Sequence, residues 1–163
     1  MRLLIVRHAT AVARGTKGIP DDERPLTPRG ERRFRTAARG LAAVAARPDV
    51  LLTSPLPRAL RTAEIAARAW GKVAPKSTPA LAAGDFDELA AILGHCKADA
   101  RVAIVGHEPH LSSLLGRLLG GAQGERLTLR KGGAALIEVP GRLEAGGRLI
   151  WYLPPRILRQ LAG

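Results

Sequence analysis

LLIVRH (3–8), VLLTSP (50–55) and VAIVGH (102–107) are the stretches whose reading decides the fold. Each is a short apolar run, rich in branched residues, broken abruptly by polar ones. Such runs show no polar alternation and are separated by helical patterning, so they read as parallel strands buried on both faces. Strand and helix alternate along the chain, which predicts a mostly parallel sheet covered by helices on each side. In an open sheet of this kind, ligands sit outside the carboxyl ends of the strands. Arg7, His8, Arg58 and His107 are therefore expected on one rim, although they lie far apart in sequence.

The segments between the strands carry their own punctuation. Thr27-Pro28 reads as an N-cap followed by proline in the first turn of a helix that runs to about Arg47. Ser54-Pro55 repeats the signature and predicts a helix to about Trp70. Residues 71–84, with Pro75, Pro79 and Gly84, read as an irregular connection, and Asp85–Leu93 as a short helix. Leu111, Leu114, Leu115 and Leu118 form a helical stripe after the third strand. Ala134–Val139 and Leu149–Leu153 predict an antiparallel hairpin with Pro-Gly and Gly-Gly turns, and Pro155 opens a last short helix. No repeat, low-complexity tract or linker interrupts the pattern, so one domain over residues 1–163 is expected.

With 163 residues, 46% of them hydrophobic, the chain can bury a core. No apolar run approaches the ~20 residues of a membrane span, and LLIV is too short for a signal peptide. A cytoplasmic location is the default expectation. The lone Cys96 excludes an intramolecular disulfide, fits a reducing compartment and reads as a packed thiol. The net charge of +12, from 26 basic against 14 acidic residues, favours anionic ligands. Nucleic acid is the rival partner. Against it, the arginines are scattered and only five aromatics are present (Trp 2, Tyr 1, Phe 2) to stack on bases. The densest cluster, Arg29, Arg32, Arg33, Arg35 and Arg39, is explained by a solvated helix face.

The rim residues suit phosphoryl chemistry. An imidazole attacks phosphorus only when neutral, and Arg7 and Arg58 beside His8 would push its pKa down. The same guanidiniums would grip phosphoryl oxygens through forked hydrogen bonds. The free N–H groups at the helix start after Ser54 favour an anion, and Arg58 can lean back toward that end. Arg61 lies a turn further along and reads as a solvent-exposed arginine. His107-Glu108-Pro109-His110 suggests zinc at first sight, but its histidines are spaced i, i+3 and interrupted by proline. His107 reads instead as a second phosphate contact, protonated by the anion, and His110 as a helix start. His95 has no identifiable partner. Taken singly, each residue also has a structural reading, with His8 as a strand-end histidine and Arg58 as a helix-surface charge.

Together LLIVRHATA (3–11), RPLTPRG (24–30), LLTSPLPRALRTAEI (51–65) and VAIVGHEPHLSSLL (102–115) resemble the histidine phosphatase superfamily, the phosphoglycerate-mutase-like enzymes. The small size, RPLT, GHEPHLSSLL and LRKGGAALIEV (129–139) are most similar to its SixA-type branch, which dephosphorylates phosphohistidine in proteins. The resemblance implies a three-layer α/β/α fold, no cofactor or metal, and a covalent phosphohistidine on His8. It also implies a phosphate pocket of Arg7, Arg58 and His107. Arg24 would line a substrate groove by the same resemblance, with a salt bridge to a nearby acid as the alternative, and Lys131 would approach the rim.

Two departures stand out. Ala9 replaces the family's usual glycine, at a cost of roughly 1 kcal/mol if a positive φ is required there. The region that carries a general acid in larger relatives is short here, leaving Asp85 as the one nominee, with helix capping as its other role. A missing acid favours phosphoramidate over ester substrates, because a departing imidazole needs less proton donation than an alkoxide. The expected activity is thus hydrolysis of protein-borne phosphohistidine. The alternatives are a phosphatase for small phosphate monoesters such as a sugar phosphate or nucleotide, or a non-catalytic phosphate-binding module.

Overall fold

Leu3 and Ile5 face one side of the first strand and Leu4 and Val6 the other, and all four are buried. That strand, β1 (Arg2–Arg7), lies inside a six-stranded sheet of order β3-β2-β4-β1-β5-β6 in a computed structural model. The structure describes residues 1–71, 73–121 and 124–163. Strands β2 (Val50–Thr53), β3 (Pro75–Ser77) and β4 (Arg101–Gly106) run parallel with β1. The last two, β5 (Ala134–Glu138) and β6 (Arg148–Leu153), form the antiparallel hairpin.

Alternation along the central strands divides the core into two layers. On one face Leu4, Val6, Ala103 and Val105 pack with Phe34 and Leu41 of α1 (Pro28–Val44) and Ala59 and Ala63 of α2 (Pro57–Ala69). Leu158 of α6 (Pro155–Gln160) completes this layer. On the other face Leu3, Ile5, Val102 and Ile104 meet α3 (Ala80–Ala83), α4 (Phe86–Gly94) and α5 (His110–Leu118). Each fully buried leucine contributes roughly 1.5–3 kcal/mol over exposure. The result is the three-layer α/β/α, phosphoglycerate-mutase-like arrangement.

Thr27 caps α1 as the sequence predicts, accepting the Gly30 N–H at 2.9 Å, with proline next. The helix stops at Val44 rather than Arg47, because Ala45 turns extended and its carbonyl is held by the Trp70 indole N–H at 3.0 Å. Gly40 lets α6 approach closely, since a Cβ there would meet the Leu158 carbonyl oxygen. The second cap-and-proline signature is displaced. Helix α2 begins at Pro57 with Leu56 as its N-cap, so Ser54 is not the cap. The connection over residues 71–84 also holds more order than expected, with β3 as a short edge strand and α3 as a single turn.

Candidate active site

Register places the rim. Arg7 lies opposite Gly106, and Thr53 opposite Val105, so β2, β4 and β1 end side by side with β4 in the middle. The ladder continues one step past the strands, where His8 N–H donates to the Gly106 carbonyl at 3.1 Å and Ser54 N–H to Val105 at 3.0 Å. His8 and His107 consequently face each other, their ring centroids 5.0 Å apart and their planes inclined by 51°. They are 5% and 6% exposed.

The tautomer of His8 follows from its partner. Its Nδ1 lies 2.7 Å from the Ala9 carbonyl, which can only accept, so Nδ1 carries the proton and Nε2 keeps its lone pair. Burial pushes the His8 pKa down to about 3, with smaller contributions from His107, Arg58 and Arg7, against the Ala9 carbonyl. Desolvation, rather than the arginines singled out from sequence, is the main cause. His107 is pushed down to about 4, again chiefly by burial and then by Arg58, His110, Arg24 and Arg7. Both rings are therefore neutral at pH 7 in the free protein, and His107 can become a cation only when an anion reverses this balance.

Ser54 serves His107. Its Oγ lies 2.8 Å from His107 Nε2 and accepts the Leu56 N–H at 3.3 Å. The hydroxyl can donate to Nε2, and in that tautomer the His107 proton sits on Nδ1. That Nδ1 is buried with no partner among the described residues, as are Arg7 Nε and Arg58 Nε. Arg7 spends one terminal nitrogen on the Leu129 carbonyl (2.6 Å), and Arg58, the second residue of α2, spends one on the Asp21 carbonyl (2.7 Å). An unpaired buried donor costs about 1–3 kcal/mol. All three belong to residues around His8, and an oxyanion is the kind of ligand that would satisfy them.

Four supporting residues escaped the sequence reading. Ser54 was assigned to a helix cap. Thr62 accepts the Ala9 N–H at 3.0 Å and donates to the Arg58 carbonyl at 2.7 Å, tying the end of β1 to α2. Its spacing, four residues after Arg58, was the available signal. Asp21 bridges Arg14 (2.8 Å) and Arg24 (2.9 Å) and approaches Arg58 at 3.8 Å. Glu108 accepts from Leu129 N–H at 2.8 Å and Ser112 N–H at 3.1 Å, which fixes the carbonyl that holds Arg7.

The remaining candidates fall into place differently. Arg24 is buried and braces the 9–25 loop through Asp21 and the Val12 carbonyl (2.7 Å), so the salt-bridge alternative describes it. Arg61 is not simply solvent-exposed, because it joins α2 to α1 through Glu31 at 2.7 Å and also binds Glu64 at 2.9 Å. Asp85 caps α4, accepting Glu88 N–H at 2.9 Å. His110 opens α5 against Gly84, and exposed His95 bonds the Ala91 carbonyl at 2.8 Å. Lys131 does reach the rim, in a groove with Arg7. The Ala9 methyl is buried in the α1–α2 core layer.

A doubly wound sheet whose rim brings together two neutral imidazoles, the half-buried guanidinium of Arg7 and the buried one of Arg58 defines a phosphate-handling class of site. The sequence profile of the histidine phosphatase superfamily (branch 1) matches residues 3–95, and the chain belongs to that superfamily. An uncharacterized protein of Picosynechococcus sp. is 36% identical over 136 residues, 82% of each chain. A tungstate complex of the protein histidine phosphatase SixA shares the fold at TM-score 0.81 and 24% identity, covering 97% of this chain and 99% of that one. The candidate phosphohistidine phosphatase SixA of Nakamurella multipartitia gives 0.72 and 28%, covering 94% and 95%. A phosphoserine phosphatase from Entamoeba histolytica, in complex with 3-phosphoglyceric acid, gives 0.67 and 16%, covering 93% and 96%. Among the described residues, no helix is long and apolar enough to cross a membrane.

Proposed function

We propose that the chain is a phosphohistidine phosphatase acting on protein-borne phosphate through a covalent intermediate on His8. The observation that carries this reading is the set of unpaired buried donors, Arg7 Nε, Arg58 Nε and His107 Nδ1, beside a neutral imidazole. In the first step the His8 Nε2 lone pair forms a bond to phosphorus, and the bond from phosphorus to the substrate's imidazole nitrogen breaks. The departing ring leaves as a neutral base when its far nitrogen carries a proton. In the second step water attacks the phosphoenzyme in line, releasing inorganic phosphate and returning His8 to its neutral form.

Both steps spread charge over three equatorial oxygens, which the three donors would hydrogen-bond. Guanidiniums have no lone pair to bind a metal, so the positive charge of this pocket is its own. The phosphoramidate preference rests on the local carboxylates. Asp21 is held below the usual carboxylate range by Arg14 and then Arg24, Glu108 is occupied by two backbone N–H groups, and Asp85 caps α4. All three are engaged by these partners rather than offered to a leaving group, and a departing imidazole needs no donated proton.

The test has two arms. Mixing with substrate is expected to leave acid-labile, alkali-stable phosphate on the protein, absent in His8→Ala. A phosphohistidine peptide is expected to exceed p-nitrophenyl phosphate in kcat/KM by orders of magnitude. The reverse order favours a small-ester phosphatase, and no phosphoenzyme with retained phosphate binding favours a non-catalytic module.

A further inference from the structure

Beside the imidazole pair, a groove of about 710 Å3 opens between α1, α6 and the turn before β5. Arg7 lies at its inner end, and Arg33, Arg130, Lys131, Arg156 and Arg159 line it further out. No carboxylate is among its lining residues. Among the described residues none of the five outer cations forms an ion pair. The cluster is also self-repelling. The Arg159 guanidinium is pushed below its ordinary range by burial and then by Arg33 and Arg156. A protein at net charge +12 has 14 acidic residues, and none is among those lining this groove.

The accessible apolar surface between these charges is formed by the half-buried Pro154 and Pro155. Phe34 is 2% exposed, so it offers no open ring on which a base could stack. The cations come from three elements, α1, the turn before β5 and α6. An apolar surface with a basic rim complements an amphipathic segment whose outer residues are acidic. We propose that this groove docks an acidic amphipathic segment of the phosphorylated protein, so that the phosphohistidine beside that segment is delivered to Arg7 and His8. The proposal rests on the phosphatase reading above and adds the part of the partner that is recognised.

The test uses a fluorescently labelled amphipathic peptide with Glu and Asp on its polar face, a second version with those acids changed to Gln, and both peptides carrying one phosphohistidine. The variants are Arg33→Gln/Arg156→Gln/Arg159→Gln and the corresponding triple change to Glu, which alter exposed or half-buried side chains and leave the catalytic pocket untouched. The unphosphorylated acidic peptide is expected to bind the wild type on the order of tenfold or more tightly than the Gln peptide. That advantage should vanish in the Gln variant, reverse in the Glu variant and shrink with added salt. With the acidic phosphopeptide KM should rise in step while kcat holds, and free phosphoramidate should be hydrolysed unchanged.

Equal affinity for the acidic and Gln peptides overturns the proposal, and so does a matching loss with phosphoramidate. An oligonucleotide of equal charge binding more tightly than the peptide assigns the groove to nucleic acid instead. Charge-dependent peptide binding without any phosphoenzyme supports the groove and overturns only the catalytic reading.

Discussion

Lowering the pH is the perturbation for which the two buried imidazoles make the sharpest forecast. The unfolded chain protonates histidine near 6.5, but folding holds His8 at about 3 and His107 at about 4. Between these limits the unfolded state binds more protons than the folded one, so stability falls as the pH falls. Each imidazole costs about 1.4 kcal/mol per pH unit once the pH is well below 6.5, and the pair about 4 kcal/mol between pH 7.5 and pH 5. Carboxylates do not blur this window. Glu31 and Asp49, both held at about 2 by arginine hydrogen bonds, stay ionised throughout it and withdraw their contribution only below their ordinary values. The assay is urea unfolding at several pH values, paired with nitrogen-15 NMR of the imidazoles. At pH 5 an ordinary histidine is about 97% protonated, whereas His8 should be about 1% protonated. A saturating oxyanion should raise both values and flatten the pH slope, because it favours the imidazolium. A His8 midpoint near 6 in the free protein, or stability that is level from pH 7.5 to 5, would refute the argument from burial.

Other expectations concern single side chains. Ser54→Ala removes the partner of His107 Nε2. Its kcat/KM should drop on the order of tenfold to a hundredfold, with a stability loss of about 1–2 kcal/mol by denaturation. Arg58→Ala should lower kcat/KM by on the order of 10²–10³, the usual effect of losing a donor to transition-state charge, and Arg58→Lys should recover only part of it. Gly40→Ala would drive a methyl into the Leu158 carbonyl, and the melting curve should show about 1–3 kcal/mol of destabilisation or more. Glu108→Gln loses one of two backbone bonds, freeing the strap that carries the Leu129 carbonyl to Arg7. The expected signature is a rise in KM larger than the fall in kcat, measured with phosphoramidate.

The central strands were legible because burial on both faces leaves unbroken apolar runs, as Leu3 to Val6 and Val102 to Val105 show. Arg7, His8 and His107 were legible because they stand at the ends of those runs, and Arg58 because it opens the helix after one of them. Other features were hidden by competition for the same atoms. Ser54 looked like a helix cap, since Ser-Pro satisfies that pattern, but its hydroxyl is claimed by His107 across the sheet. Asp21 stood in a polar loop of ordinary composition, and only the folded loop shows three arginines turned toward it. Strand β3 carries a proline and two exposed polar residues, so its pattern is that of a connection until β2 supplies a neighbour. Arg61 was read as solvated because its carboxylate partner Glu31 lies on another helix.

The position of β4 between β1 and β2 has a consequence during synthesis. Residues 1–100 include Arg7, His8 and Arg58 but not the strand that separates and registers them. A translation intermediate arrested before residue 101 would thus hold most of the reactive groups with no working arrangement. Turnover should begin in one late event, when that strand slots into the middle of the sheet and brings His107 with it.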